Sequence, residues 1–196
     1  RFADVAQNAE ALRAIAEAVG QPVFGVALDM SKWYHQLFYN ARELWKMGAY
    51  MPARAADGGA DDVMYAFTEH VMAMGMTPSS EIAQRFANNI IQALLHRMNE
   101  VDAPYLEQEP APVQAWLEQR RALPHDDNGT MARLVTAAMY TDDPICHVVG
   151  VERAVRLVTV WHEITSRSGL MVAKAAKWQI GAGGITWLGI KVSAQL

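Results

Sequence analysis

Three aspartates stand where the chain could bring carboxylates together. Asp29 ends a short apolar run, Val23 to Leu28. Asp142-Asp143 falls between two more, Leu134 to Tyr140 and Ile145 to Val149. Carboxylates at the ends of neighbouring buried strands converge on one spot. Two unit charges about 4 Å apart repel by roughly 4 kcal/mol at an effective dielectric of 20. That is a sizeable part of a domain stability of about 5–15 kcal/mol, so three such groups call for a cation. Oxygen donors suit Mg²⁺, which keeps waters and binds substrate phosphates, with Mn²⁺ as a substitute. Two ions about 3.5–4 Å apart clamp an in-line phosphoryl displacement. A plain turn is the other reading of Asp142-Asp143, because aspartates satisfy turn backbones by themselves.

Positioning these residues requires strands and helices in alternation. Apolar spacing of three and four predicts helices over Ala3 to Val19, Pro78 to Met98 and Val151 to Arg167. Gly20-Gln21-Pro22 and Gly169 supply stops. Strands are expected at Val23 to Leu28, Leu44 to Met51, Val63 to Thr68, Leu134 to Tyr140 and Ile145 to Val149, with Thr141 to Pro144 as a hairpin connection. Met171 to Ile180 and Ile185 to Val192 flank the turn Gly181 to Gly184. Pro144 has no N–H for a ladder, so its strand should begin late or lie at an edge. Residues 100–127 hold four of the eight prolines and seven acidic residues against Arg120 and Arg121. They read as a surface excursion with one short helix around Val113 to Leu123. No strict βαβ repeat is present, and the class is α+β.

The segments around the aspartates resemble the motifs of reverse transcriptases, in order. Phe24-Gly25-Val26-Ala27-Leu28-Asp29-Met30-Ser31-Lys32-Trp33-Tyr34 is similar to motif A, with an aromatic five positions after the aspartate. Gly75-Met76-Thr77-Pro78-Ser79, leading to Gln84-Arg85, resembles motif B. Tyr140-Thr141-Asp142-Asp143 resembles the Y-x-D-D of motif C. Gly169-Leu170 with Lys174 or Lys177 looks like motif D, and Ile185-Thr186-Trp187-Leu188-Gly189-Ile190 looks like motif E.

The resemblance implies a polymerase palm of a retrotransposon-type element, a small antiparallel sheet with a catalytic hairpin packed on helices. It divides the chain into palm with partial fingers over 1–99, an acidic Pro-rich insertion over 100–130, and palm again over 131–196. The implied reaction adds a dNTP to a primer 3′-hydroxyl on an RNA or DNA template. In it Asp29 and Asp142 hold two Mg²⁺ ions, Asp143 completes the metal site as their electrostatic support, and Lys177 protonates the leaving pyrophosphate, with Lys174 as the alternative. Tyr34 is the implied gate against ribonucleotides, and backbone amides around Ser31 to Trp33 meet the triphosphate. Gly75 lies under the nascent pair, Gln84 positions template, and Trp187 and Gly189 hold the primer end. Trp187 is equally readable as core. The implied partners are template with primer, dNTP and the rest of a polyprotein, with its fingers, thumb and possible RNase H and integrase. Two other readings stand beside this one. They are a catalytically inactive palm kept for nucleic-acid binding or assembly, and an RNA-dependent RNA polymerase.

Composition excludes some classes. The 196 residues are 52% hydrophobic and 19% charged, which excludes a disordered tail. No uninterrupted apolar run is long enough for a membrane span. Lone Cys146 cannot form an internal disulfide. With no signal peptide in view, an intracellular setting, cytoplasmic or nuclear, is expected. The opening Arg1 suggests a piece of a longer polypeptide. A net charge of −4 argues against a basic nucleic-acid surface. Six basic residues against two acidic ones from Val151 onward show that the charge is uneven.

Overall fold

A computed structural model describes residues 14, 16–18, 20–42, 48–52, 64–72, 77–121 and 134–193. Gly75 lies outside them. So do Met74, Met76, most of the expected N-terminal helix and the end of the 100–130 segment. The chain divides into two units, Arg1–Ser31 with Gln84–Leu196, and Lys32–Ala83.

The first unit is built on a four-stranded antiparallel sheet in the order β4-β5-β1-β6. Its strands are β1 (Val23–Ala27), β4 (Val135–Tyr140), β5 (Asp143–Val149) and β6 (Gln179–Gly181). A hairpin, β7 (Ile185–Trp187) and β8 (Ile190–Val192), follows. The helices are α1 (Thr77–Asp102), which begins in the other unit, α2 (Ala111–Arg121) and α3 (Val151–Arg167). The first unit is thus mixed α+β, a four-stranded antiparallel sheet packed on helices, with the β7–β8 hairpin beside it.

Strand β1 forms because Val23 to Ala27 is too short for a helix and is paired on both edges, by buried β5 and by the exposed short strand β6. Val23 pairs with Val149 and Ala27 with Ile145. Directly paired residues share a face, so these four face the same way. At one end of that face Val113, Trp116 and Leu117 of α2 pack on Val23, Leu134 and Val149. At the other end Ile185, Trp187 and Val192 of the β7–β8 hairpin pack on Ala27 and Ile145. Between them lies Gly25, where an added Cβ would stand 3.0 Å from Ile185 Cδ1. A side chain here would press on Ile185, so the glycine suits the close approach of the hairpin to the sheet.

Two expectations are corrected. Residues 103–121 run mostly along the surface with one short helix, as expected, but one face of α2 supplies buried core. Glu107 and Glu118 there are exposed, but two other acidic residues of the 100–127 segment are withdrawn from solvent. Buried Asp102 accepts from Arg153 and Arg156 of α3, and Glu109 accepts from Arg153. Arg153 also donates to Val149 O, and the Arg156 guanidinium lies 4.4 Å from the centre of the Tyr105 ring. This network ties the α1–α2 connection to the start of α3.

Pro144 is the second correction. It is the second residue of β5, an interior strand, and pairs with Met139. The β1–β5 ladder ends at Ala27–Ile145, one step earlier on β1. Pro144 still accepts from Leu28 N. With no N–H, Pro144 cannot return the second bond of this pair to Leu28 O, and the β1–β5 ladder stops one step before it.

In the second unit, β2 (Gly48–Pro52) and β3 (Met64–Thr68) form a hairpin. Phe38 bridges to Val71, and the Tyr39 hydroxyl lies 3.2 Å from Ser79 Oγ. Among the described residues no helix is long and apolar enough to cross a membrane.

Candidate carboxylate site

The backbone delivers the three aspartates to one end of the sheet. Beyond β1, Leu28 N donates to Pro144 O and Met30 N to Asp142 O. Asp29 lies between these two bonds. On its other side Ala173 N donates to Asp29 O, and Ser31 N to Met171 O. Asp29 is thus pinned from both edges. Side chains alternate along a strand, so Asp29 falls on the face of Ala27, and Asp143 on the face of Ile145. Those two are directly paired, so Asp29 and Asp143 emerge on the same face. Asp142 sits in the two-residue turn, and Asp143 is the first residue of β5 rather than part of the connection.

The turn is held by a side chain. Gln84 Nε2 donates to Met139 O at 2.8 Å, and Thr141 N donates to Gln84 Oε1 at 3.0 Å. Thr141 has φ of +56°, which a β-branched residue rarely adopts. The Gln84 amide thus braces a strained turn beside Asp142. The sequence-based template role for Gln84 gives way to this structural one, since both ends of its amide are engaged within the protein. Trp187 is likewise core, 8% exposed, and its indole N–H donates to Asp143 O at 2.9 Å. It positions Asp143. Gly189, φ +78°, follows Leu188, φ +49°, in the tight β7–β8 turn. Positive φ at both central residues explains the glycine without a ligand. The Ser31 amide, assigned to a triphosphate, is taken by Met171 O.

Lys177 ends a one-turn helix, Ala175–Lys177. Its Nζ donates to Asp29 Oδ2 at 2.7 Å. Lys174 carries no such pair; its carbonyl accepts from Lys177 N. Burial raises the Asp143 carboxyl above the usual range, and the charges of Asp142 and then Asp29 raise it further, against Lys177. Asp29 pushes the Lys177 ammonium up. All four groups therefore feel one another. Tyr34 lies in a short helical turn, Trp33–Gln36, of the other unit and is half-buried.

A cleft of about 240 Å³ opens here, lined among others by Asp29, Asp143, Lys177, Gln179, Trp187 and Leu188. Gln179 had no signal in the sequence. Its side-chain amide bonds both N and O of Thr186, tying β6 to β7 at the cleft wall. A larger hollow, about 330 Å³, lies beside Gly150. Its arginines are already bonded to Asp102 and Glu109, so the smaller cleft is the better candidate.

No protein-family model matches this chain, and no curated protein sequence matches it.

The donor set suits a hard divalent cation, because three carboxylates share one sheet end and oppose one another's ionisation. Their present arrangement is not a finished cage. Among the described residues no group of three or more His, Cys, Asp or Glu side chains is placed to hold a metal ion. One oxygen of Asp29 belongs to Lys177.

Proposed function

We propose that this chain is the palm of an RNA-directed DNA polymerase, a nucleotidyltransferase that is incomplete in this fragment. One observation carries the reading. Asp29 and Asp142-Asp143, 113 residues apart in the chain, meet at one end of an antiparallel sheet with Lys177 beside them. The order and spacing of the sequence motifs support it.

In this reading Asp29 and Asp142 hold two Mg²⁺ ions, and Asp143 supports them electrostatically. The ions would supply Lewis acidity at the primer hydroxyl and neutralise charge on the leaving pyrophosphate. Lys177, already cationic, donates a hydrogen bond or a proton to a pyrophosphate oxygen. Gln84 keeps the Asp142 turn in shape, and Trp187 fixes the Asp143 backbone. Positioning of this kind supplies much of the rate in phosphoryl transfer. Tyr34 is proposed as the sugar gate, and Gly75 as the close approach to the nascent pair.

A second reading, a palm kept without catalysis, is favoured by one observation, the engagement of Asp29 by Lys177. RNA-templated primer extension by the full-length protein separates the two. The polymerase reading predicts dNTP addition that Asp142→Asn lowers by at least about 100-fold. Equal extension by the variant refutes the assigned site.

A further inference from the structure

Two ion-paired clusters in the first unit differ in build. Arg153 is 2% exposed and spends its guanidinium on Asp102, Glu109 and Val149 O. Such a pair is costly to break. The Lys177 side chain is 69% exposed and meets one oxygen of Asp29 through a single bond. Its root is nonetheless fixed. Lys177 N donates to Lys174 O, Trp178 Nε1 donates to Ala173 O, and Ala173 N donates to the carbonyl of Asp29 itself. The backbone thus holds the ammonium within reach of the carboxylates, while the long stem is free to swing into solvent.

Resting on the carboxylate-site reading above, we propose that Lys177 is the resident counter-ion of this site. It pairs with Asp29 when no divalent cation is bound and releases Asp29 to the cation when one arrives. The exchange swaps one cationic partner of Asp29 for another, so Asp29 is never left unpaired beside Asp142 and Asp143. It also sets a competition: the ammonium opposes cation entry. At the same time it is delivered, freed from Asp29, to the cleft where an anionic leaving group would lie. An exposed, single-bonded pair is weak enough to be exchanged and is screened by salt.

Calorimetric titration with Mn²⁺ tests this on the wild-type chain, Lys177→Met and Lys177→Arg. The methionine variant keeps the apolar stem and loses the charge, whereas the arginine variant keeps the charge. Lys177→Met is expected to bind Mn²⁺ about fivefold more tightly than wild type, on the scale of one exposed ion pair. Lys177→Arg is expected to bind like wild type. Raising the salt should shrink the difference between Lys177→Met and wild type. Equal or weaker binding by Lys177→Met overturns the counter-ion role while leaving the cation site standing. No Mn²⁺ binding by any of the three overturns the site and the inference together. Circular dichroism verifies folding of each variant, and Lys177→Gln replaces Lys177→Met if that variant misfolds.

Discussion

Removing the Gln84 amide should loosen the turn that presents Asp142. Gln84→Leu keeps the volume and deletes two hydrogen bonds to the β4–β5 hairpin, at 2.8 and 3.0 Å. A neutral hydrogen bond contributes about 0.5–1.5 kcal/mol net, so the pair contributes about 2 kcal/mol. At this chain length that lowers Tm by about 4–8 °C. The bonds bracket Thr141, whose φ of +56° is strained for a β-branched residue. Thr141→Gly accepts that φ freely, so Gln84→Leu should cost less when combined with Thr141→Gly than it does alone. Urea denaturation of the four proteins in this double-mutant cycle gives both numbers. Amide hydrogen exchange gives a local one, since the Thr141 amide should lose protection in Gln84→Leu. A loss below about 0.3 kcal/mol, within the usual error of additivity, would refute the brace. So would an equal loss with and without Thr141→Gly.

Asp143→Asn should stabilise the fold near neutral pH. Burial, Asp142 and Asp29 hold the folded Asp143 carboxyl above its unfolded value, so its ionisation works against the fold as pH rises through that window. The gain in Tm should vanish below about pH 3, where the carboxyl is protonated in both states; a variant no more stable at pH 7 would contradict this. Buried His147 is pushed down to about 4. The unfolded chain therefore binds this proton first, and stability should fall as pH drops from about 6.5 to about 4, by up to about 3 kcal/mol. His147→Leu should remove that part of the slope, and an unchanged slope would show that His147 does not titrate this way. Arg153→Met leaves buried Asp102 and part-buried Glu109 with one fewer partner and should cost about 3–5 kcal/mol in urea denaturation. A cost below about 1 kcal/mol would mean that the network is solvated.

The local part of the fold is legible in the sequence. Helix α3 lies where its pattern predicts it, at Val151 to Arg167, because its apolar stripe has the helical period and Gly169 follows its end. The pattern makes strand β1 one residue too long, since Leu28 is as apolar as its neighbours and only the Pro144 backbone ends the ladder. What the pattern misses is non-local. Asp102 and Glu109 read as solvated because their partners, Arg153 and Arg156, lie more than forty residues later. Val113, Trp116 and Leu117 show the spacing of a buried helical face, but composition outweighs it. In the site, the convergence of Asp29 with Asp142-Asp143 follows from strand ends. The duties of Gln84 and Trp187 do not, because a long polar or aromatic side chain can reach substrate or backbone equally well. The pairing of Lys177 with Asp29, 148 residues apart, has no local signature at all.

The central claim is that Asp29, Asp142 and Asp143 form one divalent-cation site. Crystals soaked in MnCl₂ and measured at the manganese absorption edge test it most directly. An anomalous peak between the Asp29 and Asp142 carboxylates, with the Lys177 ammonium moved off Asp29, is the predicted result. No peak there, with Lys177 still paired to Asp29 at saturating Mn²⁺, would contradict it.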